Sequence, residues 1–95
     1  MIIDILTDKF NDILHGNIEI IQMKTINGLI GKINGEKSFE IVYSTKFNII
    51  SLTFMNSIND QILKIVKEQS SINSKIMIKE KEEKLVVIIF GYLKV

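Results

Sequence analysis

The apolar residues of this chain repeat with the period of an α-helix in two short segments and with that of a β-strand almost everywhere else, which narrows the folds open to it. Over residues 2–15, Ile3, Leu6, Phe10, Ile13 and Leu14 fall on one side of a helical wheel, and Asp4, Asp8, Asp12 and His15 fall on the other. Gly16-Asn17 follows, and both residues tolerate the left-handed backbone that ends helices. Over residues 57–69, Ile58, Ile62, Ile65 and Val66 make a second apolar stripe opposed by Asp60, Lys64, Lys67 and Glu68. Ser57-Ile58-Asn59-Asp60 fits a capping box, which starts this helix at Ile58.

From Ile18 the period turns toward two. Asn17–Thr25 and Leu29–Ile33 flank Asn27-Gly28, a pair suited to the positive φ angles of a type I′ hairpin turn. Asn34-Gly35 repeats the device before Ser38–Thr45, where Phe39, Ile41 and Tyr43 alternate with Glu40, Val42 and Ser44. Phe47–Phe54 has two readings. As a helix it extends the second helix, but Asn48 and Ser51 then sit on the apolar arc while Ile49 and Leu52 fall outside it. As a strand, Ile50, Leu52 and Phe54 alternate with Ser51 and Thr53, and this reading is adopted. Ser70–Ser74 reads as a polar loop, and Lys75–Glu80 with Lys84–Leu93 as a hairpin around Lys81-Glu82-Glu83. The order α-β-β-β-β-α-β-β implies one α+β domain over residues 1–95, with two amphipathic helices on a mostly antiparallel sheet of about five or six strands in two layers. Connections this short leave little room for parallel crossovers.

The last strand carries the main functional inference. Leu85, Val87, Ile89 and Leu93 point to one face, and Val86, Ile88, Phe90 and Tyr92 to the other. A half-exposed antiparallel strand should be polar on one side, and this one is apolar on both. The first strand behaves similarly, with Ile18 and Ile20 opposed to Ile21 and Met23. Helices on opposite faces of the sheet would close the core over both sets. Helices on one face leave Ile21, Met23, Val86, Ile88, Phe90 and Tyr92 to be covered by something else, because monomers rarely expose large contiguous apolar patches. The expectation is that these six residues form a homodimer or partner interface.

Composition narrows the function classes. The chain contains no Cys, Arg, Pro, Trp or Ala, and its single histidine is His15. Most side-chain catalysis draws on Cys, His or Arg together with a carboxylate or a metal, so that equipment is nearly empty. Without cysteine there is no thiol nucleophile, cysteine zinc site or disulfide framework, which fits a reducing, cytoplasmic setting. A net charge of +1, with 12 lysines interleaved among 11 acidic residues, argues against a dedicated nucleic-acid binder. The longest apolar run, Leu85 to Phe90, is far short of the roughly 20 residues that span a bilayer. Asp4, Asp8 and Lys9 interrupt the apolar start, which lacks the features of a signal peptide. A soluble protein is expected. The richness in Ile, Lys and Asn beside missing Ala, Pro and Arg suggests an AT-rich coding genome.

No catalytic, cofactor-binding or metal-binding residue is assigned. Asp4, Asp8, Asp12 and His15 share one helical face in this reading and could in principle offer ligands to a cation. A solvated polar face that suits the helix dipole is the reading adopted for them, since the repulsion among the aspartates is too small to demand a metal. Gly31 and the Asn-Gly pairs lack the spacing of a phosphate-binding loop. Ser44, Thr45, Ser51 and Thr53 would need a base, and His15 lies on the outer face of the first helix. Lys79-Glu80-Lys81-Glu82-Glu83-Lys84 reads as a solvated hairpin tip whose lysines guard a sheet edge. Tyr43, Tyr92 and the phenylalanines read as core.

The order of helix, hairpin, helix and hairpin, with Asn27-Gly28 ten residues after Ile18, resembles the roadblock family across about residues 2–90. Members are small dimeric scaffolds that serve small GTPases and motor complexes, so the resemblance implies a non-catalytic scaffold. The family pattern makes Phe47–Phe54 helical, leaves Phe39–Ser44 as an extra strand and adds a C-terminal helix that this chain lacks. The first functional expectation is therefore a non-enzymatic protein–protein interaction module acting as a homodimer. The alternative is a small-molecule or lipid-binding domain with its pocket between sheet and helices. Third comes an accessory nucleic-acid binder that uses lysines from both subunits of a dimer.

Overall fold

Both helical stripes and the period-two segments form the elements expected of them in the computed structural model, which describes residues 2–94. Helix α1 (Ile2–Ile13) buries Ile2, Ile3, Leu6 and Phe10. It ends two residues before His15, and Gly16 takes φ +99°, so the histidine leaves the helical face that carries the aspartates. Helix α2 (Asp60–Glu68) buries Ile62, Ile65 and Val66. Its cap is Asn59 rather than Ser57: the Asn59 Oδ1 accepts from the backbone N–H of Gln61 at 3.1 Å and of Ile62 at 3.2 Å. Two of the four orphan donors at the helix start are thereby satisfied.

The strands are β1 (Ile18–Gln22), β2 (Gly28–Ile33), β3 (Glu36–Ser44), β4 (Ile49–Phe54), β5 (Lys75–Lys81) and β6 (Lys84–Phe90). They form one sheet in the order β1-β2-β3-β4-β6-β5, and every neighbouring pair is antiparallel. β1 to β4 follow one another by hairpins. The chain then crosses through α2 to the far edge, and β6 returns to fill the gap beside β4. Residues 49–54 are a strand with Ile50, Leu52 and Phe54 buried, so the helical alternative for Phe47–Phe54 does not form. The element order expected of the roadblock family lapses with it.

Three turns show different uses of the backbone. Asn34 and Gly35 hold φ of 54° and 80° between the paired residues Ile33 and Glu36, as a two-residue hairpin requires. Asn27-Gly28 does not make the expected turn. Neither residue has positive φ, and Gly28 already belongs to β2, where its carbonyl accepts from Met23 N–H at 2.8 Å. Glycine is needed there for space, because a Cβ would come within 2.8 Å of the Ile41 carbonyl oxygen. The third turn, Glu82-Glu83 between paired Lys81 and Lys84, holds φ of 51° and 65° with two residues that disfavour that region.

The core lies between the sheet and the two helices. Leu29, Phe39, Ile41, Tyr43, Ile50, Leu52, Phe54, Val87 and Ile89 point to one sheet face and join the buried residues of α1 and α2 in one cluster. Phe39 is its hub: its ring centroid lies 5.8 Å from that of Phe10, edge to face, and 6.5 Å from that of Phe54. The ring occupies the space over Gly31, its cross-strand partner. Both helices therefore cover the same face, and among the described residues the reverse face of the sheet carries none.

Candidate functional site

The uncovered face is set by register. Reading across it, Ile21 lies opposite Ile30, Ile30 opposite Glu40, Glu40 opposite Thr53, and Thr53 opposite Val86. In the next row Gly28, Val42, Ser51, Ile88 and Met77 follow in turn, and beyond them Ser44, Ile49, Phe90 and Lys75. Apolar residues stand on both flanks, beside Glu19 on the β1 side and Lys75, Lys79 and Lys81 on the β5 side, and a polar ridge of Glu40, Ser44, Ser51 and Thr53 runs along β3 and β4 between them. Ile21 and Met23 thus belong to one patch with Ile30 and Val42, while Val86, Ile88 and Phe90 belong to another with Ile49 and Met77. Four strand spacings, about 19 Å, separate Ile21 from Val86.

Five of the six residues singled out in the sequence thus sit on the uncovered face, in two groups. Ile21 and Phe90 are exposed, and Met23, Val86 and Ile88 are half-buried. Tyr92 is the exception and is completely buried. Strand β6 stops at Phe90, and Gly91 takes φ +63°, which rolls the chain over and sends the next side chain into the core. There the Tyr92 hydroxyl donates to the Val66 carbonyl at 2.7 Å, and its ring lies 6.1 Å from that of Tyr43. Burial, with the neighbouring Tyr43 hydroxyl as a lesser cause, raises the Tyr92 pKa well above its ordinary value.

The terminal segment after β6 is fastened by Asn48, which itself holds φ 53°. Its Oδ1 accepts from Tyr43 Oη–H at 2.8 Å and from Leu93 N–H at 2.9 Å, and its Nδ2 donates to the Leu93 carbonyl at 2.8 Å. Its backbone carbonyl also accepts from Tyr92 N–H at 3.0 Å. This polar cluster acts as a clasp that ties the segment after β6 to the turn at Asn48.

The acidic constellation of α1 does not assemble. His15 is exposed beyond the helix end, and Asp4 accepts a hydrogen bond from Gln22 Nε2 at 3.0 Å across to β1. Among the described residues no group of three or more His, Cys, Asp or Glu side chains is placed to hold a metal. The Ser44 hydroxyl accepts from Phe47 N–H at 3.3 Å, a turn-closing contact.

The residues of β5 were not assigned to a site from sequence. Every residue from Lys75 to Lys81 is exposed, Ile78 by 54%, with Ile76 and Met77 beside it. Ile72, in the loop leading to it, is 97% exposed. Lysines flanking the apolar triplet Ile76-Met77-Ile78 are the available sequence signal, but only the strand order shows that β5, and not β6, forms the edge. An edge strand offers unpaired backbone donors and acceptors as well as side chains. Among the described residues no helix is long and apolar enough to cross a membrane. No protein-family model matches the chain, and no curated protein or solved structure matches it.

Proposed function

We propose that this protein is a small, non-catalytic protein–protein interaction module of the cytoplasm that acts as a homodimer through the apolar surface its helices leave uncovered. The observation that carries this reading is the placement of both helices on one face of a six-stranded sheet. Ile21, Ile88 and Phe90 keep apolar surface in contact with water as a result, and Ile76, Met77 and Ile78 are exposed beside them on the edge strand β5. Covering that surface with a second chain contributes on the order of 25 cal/mol per Å² of apolar area removed from water. Packing supports association over the ligand-pocket alternative: Phe10, Phe39, Phe54 and Tyr92 fill the space between sheet and helices where a pocket would lie.

Light scattering coupled to size exclusion tests the reading, over protein concentrations from micromolar to millimolar. The expected result is a mass that rises with concentration above that of one chain, with the dimer as the first associated species. A mass of one chain across the whole range overturns it.

A further inference from the structure

The sheet has two free edges, β5 on one side and β1 on the other. Because its six strands alternate in direction, β1 and β5 run oppositely. A second copy set beside the first, with its helices on the same side, therefore lays its β1 antiparallel against the neighbour's β5.

The hydrogen-bond phase of the two edges agrees as well. Asn34 N–H donates to the Asn17 carbonyl and Met23 N–H to the Gly28 carbonyl, so alternate residues of β1 from Asn17 to Met23 turn their backbone groups inward to β2. Ile18, Ile20 and Gln22 turn theirs outward. The bond from Met55 N–H to the Ser38 carbonyl fixes the phase between β3 and β4. Carried across β4 and β6, the alternation turns the backbone groups of Ile76, Ile78 and Glu80 outward from β5.

We propose that copies of this chain join head to tail, β5 of one pairing with β1 of the next, with Ile20 opposite Ile78. This refines the self-association proposed above and rests on it. In that register Gln22 lies opposite Ile76 and Ile18 opposite Glu80, so outward backbone groups meet outward backbone groups. On the uncovered face Glu19 meets Lys79, and Ile21 meets Met77. Apolar side chains that one chain leaves in water at each edge then cover one another.

Charge selects this pairing over its symmetric rivals. Two β5 strands side by side would line Lys75, Lys79 and Lys81 of both copies along one seam. Two β1 strands would bring together both copies of the acidic edge, where Glu19 lies on one face and Asp4 bonds to Gln22 on the other. Like charges across a strand pair are destabilising, whereas a basic edge against an acidic one is favourable. Such a joint is heterologous, so its dimer keeps one free β1 and one free β5 and extends into rings or arrays as concentration rises. The ladder is limited by the five residues of β1, which places association at the weak end of specific contacts.

Proline substitutions at outward-facing positions test the joint. Ile78→Pro and Ile20→Pro each remove an N–H that the isolated chain does not use, so far-ultraviolet circular dichroism should stay that of the folded protein. Both variants should keep the mass of one chain at concentrations where the unmodified protein associates. Glu19→Lys and Lys79→Glu should each weaken association several-fold, and the double variant should restore it. Association that survives Ile78→Pro, or is lost only in Ile20→Pro, overturns the head-to-tail joint while self-association stands. A monomeric unmodified protein overturns the underlying reading instead. Should either proline variant fail to fold, the charge series decides: equal association of both single variants and the double variant overturns the joint.

Discussion

Gly31→Ala is the substitution whose cost the structure specifies most directly. Gly31 lies in β2 opposite Phe39, and an added Cβ would come inside 3.0 Å of the Phe39 ring atoms Cε1, Cζ and Cε2. The ring cannot retreat easily, because Phe10 stands edge-on to it and Phe54 packs beside it, all of them buried. Overpacking in a closed core costs about 1–3 kcal/mol and occasionally more, and the confinement of this ring places the expectation near ~3 kcal/mol. For a domain of this size that corresponds to a fall in Tm on the order of 12–24 °C. Urea unfolding followed by circular dichroism gives the free energy, and Phe39→Leu supplies the control. Shortening Phe39 costs stability alone but vacates the space above Gly31, so the double variant should be more stable than additivity predicts by about 1 kcal/mol or more. A Gly31→Ala variant within about 0.5 kcal/mol of the unmodified protein, or strict additivity in the double variant, would refute the steric account.

Three further outcomes are expected. Replacing Glu82-Glu83 by Asn-Gly puts residues suited to positive φ into the exposed turn and should stabilise the protein by about 1–2 kcal/mol in urea unfolding; no gain would mean the turn carries no backbone strain. Tyr92→Phe removes the hydroxyl bonded to the Val66 carbonyl and should cost about 1 kcal/mol at neutral pH. Because burial raises the Tyr92 pKa, its stabilising effect is fully present below the unfolded value near 10 and is lost above it, at up to about 1.4 kcal/mol per pH unit. Stability curves of the unmodified protein and Tyr92→Phe should converge between about pH 10 and 11.5, and parallel curves would count against the burial argument. Asn48→Ala removes the bonds to Tyr43 and to both backbone groups of Leu93, for an expected loss of about 2–3 kcal/mol and faster hydrogen exchange at Leu93 N–H than elsewhere in the core.

Where local chemistry decides structure, the residues were readable in order. The apolar spacing of Ile3, Leu6 and Phe10 marked α1, Ile50, Leu52 and Phe54 marked β4 against its helical alternative, and Asn34-Gly35 marked a turn. Asn27-Gly28 carried the same signal but serves another end, because the closeness of the Ile41 carbonyl to Gly28 exists only once β2 and β3 are paired. The capping box at Ser57 pointed to a start at Ile58, whereas the helix starts two residues later, capped by Asn59, whose side chain accepts from Gln61 and Ile62 N–H. Alternation carried through Gly91 puts Tyr92 on the uncovered face, but the positive φ of Gly91 ends that period and turns Tyr92 into the core.

The proposed surface divides along the same line. That Ile21, Val86, Ile88 and Phe90 would lie opposite the core residues of their strands followed from a period of two, which is a property of each strand's own backbone. Tertiary structure alone decided that both helices cover one face, that a polar ridge splits the other, and that β5 stands at an edge. Those facts depend on which strands become neighbours, and the period of an isolated segment is the same whatever lies beside it.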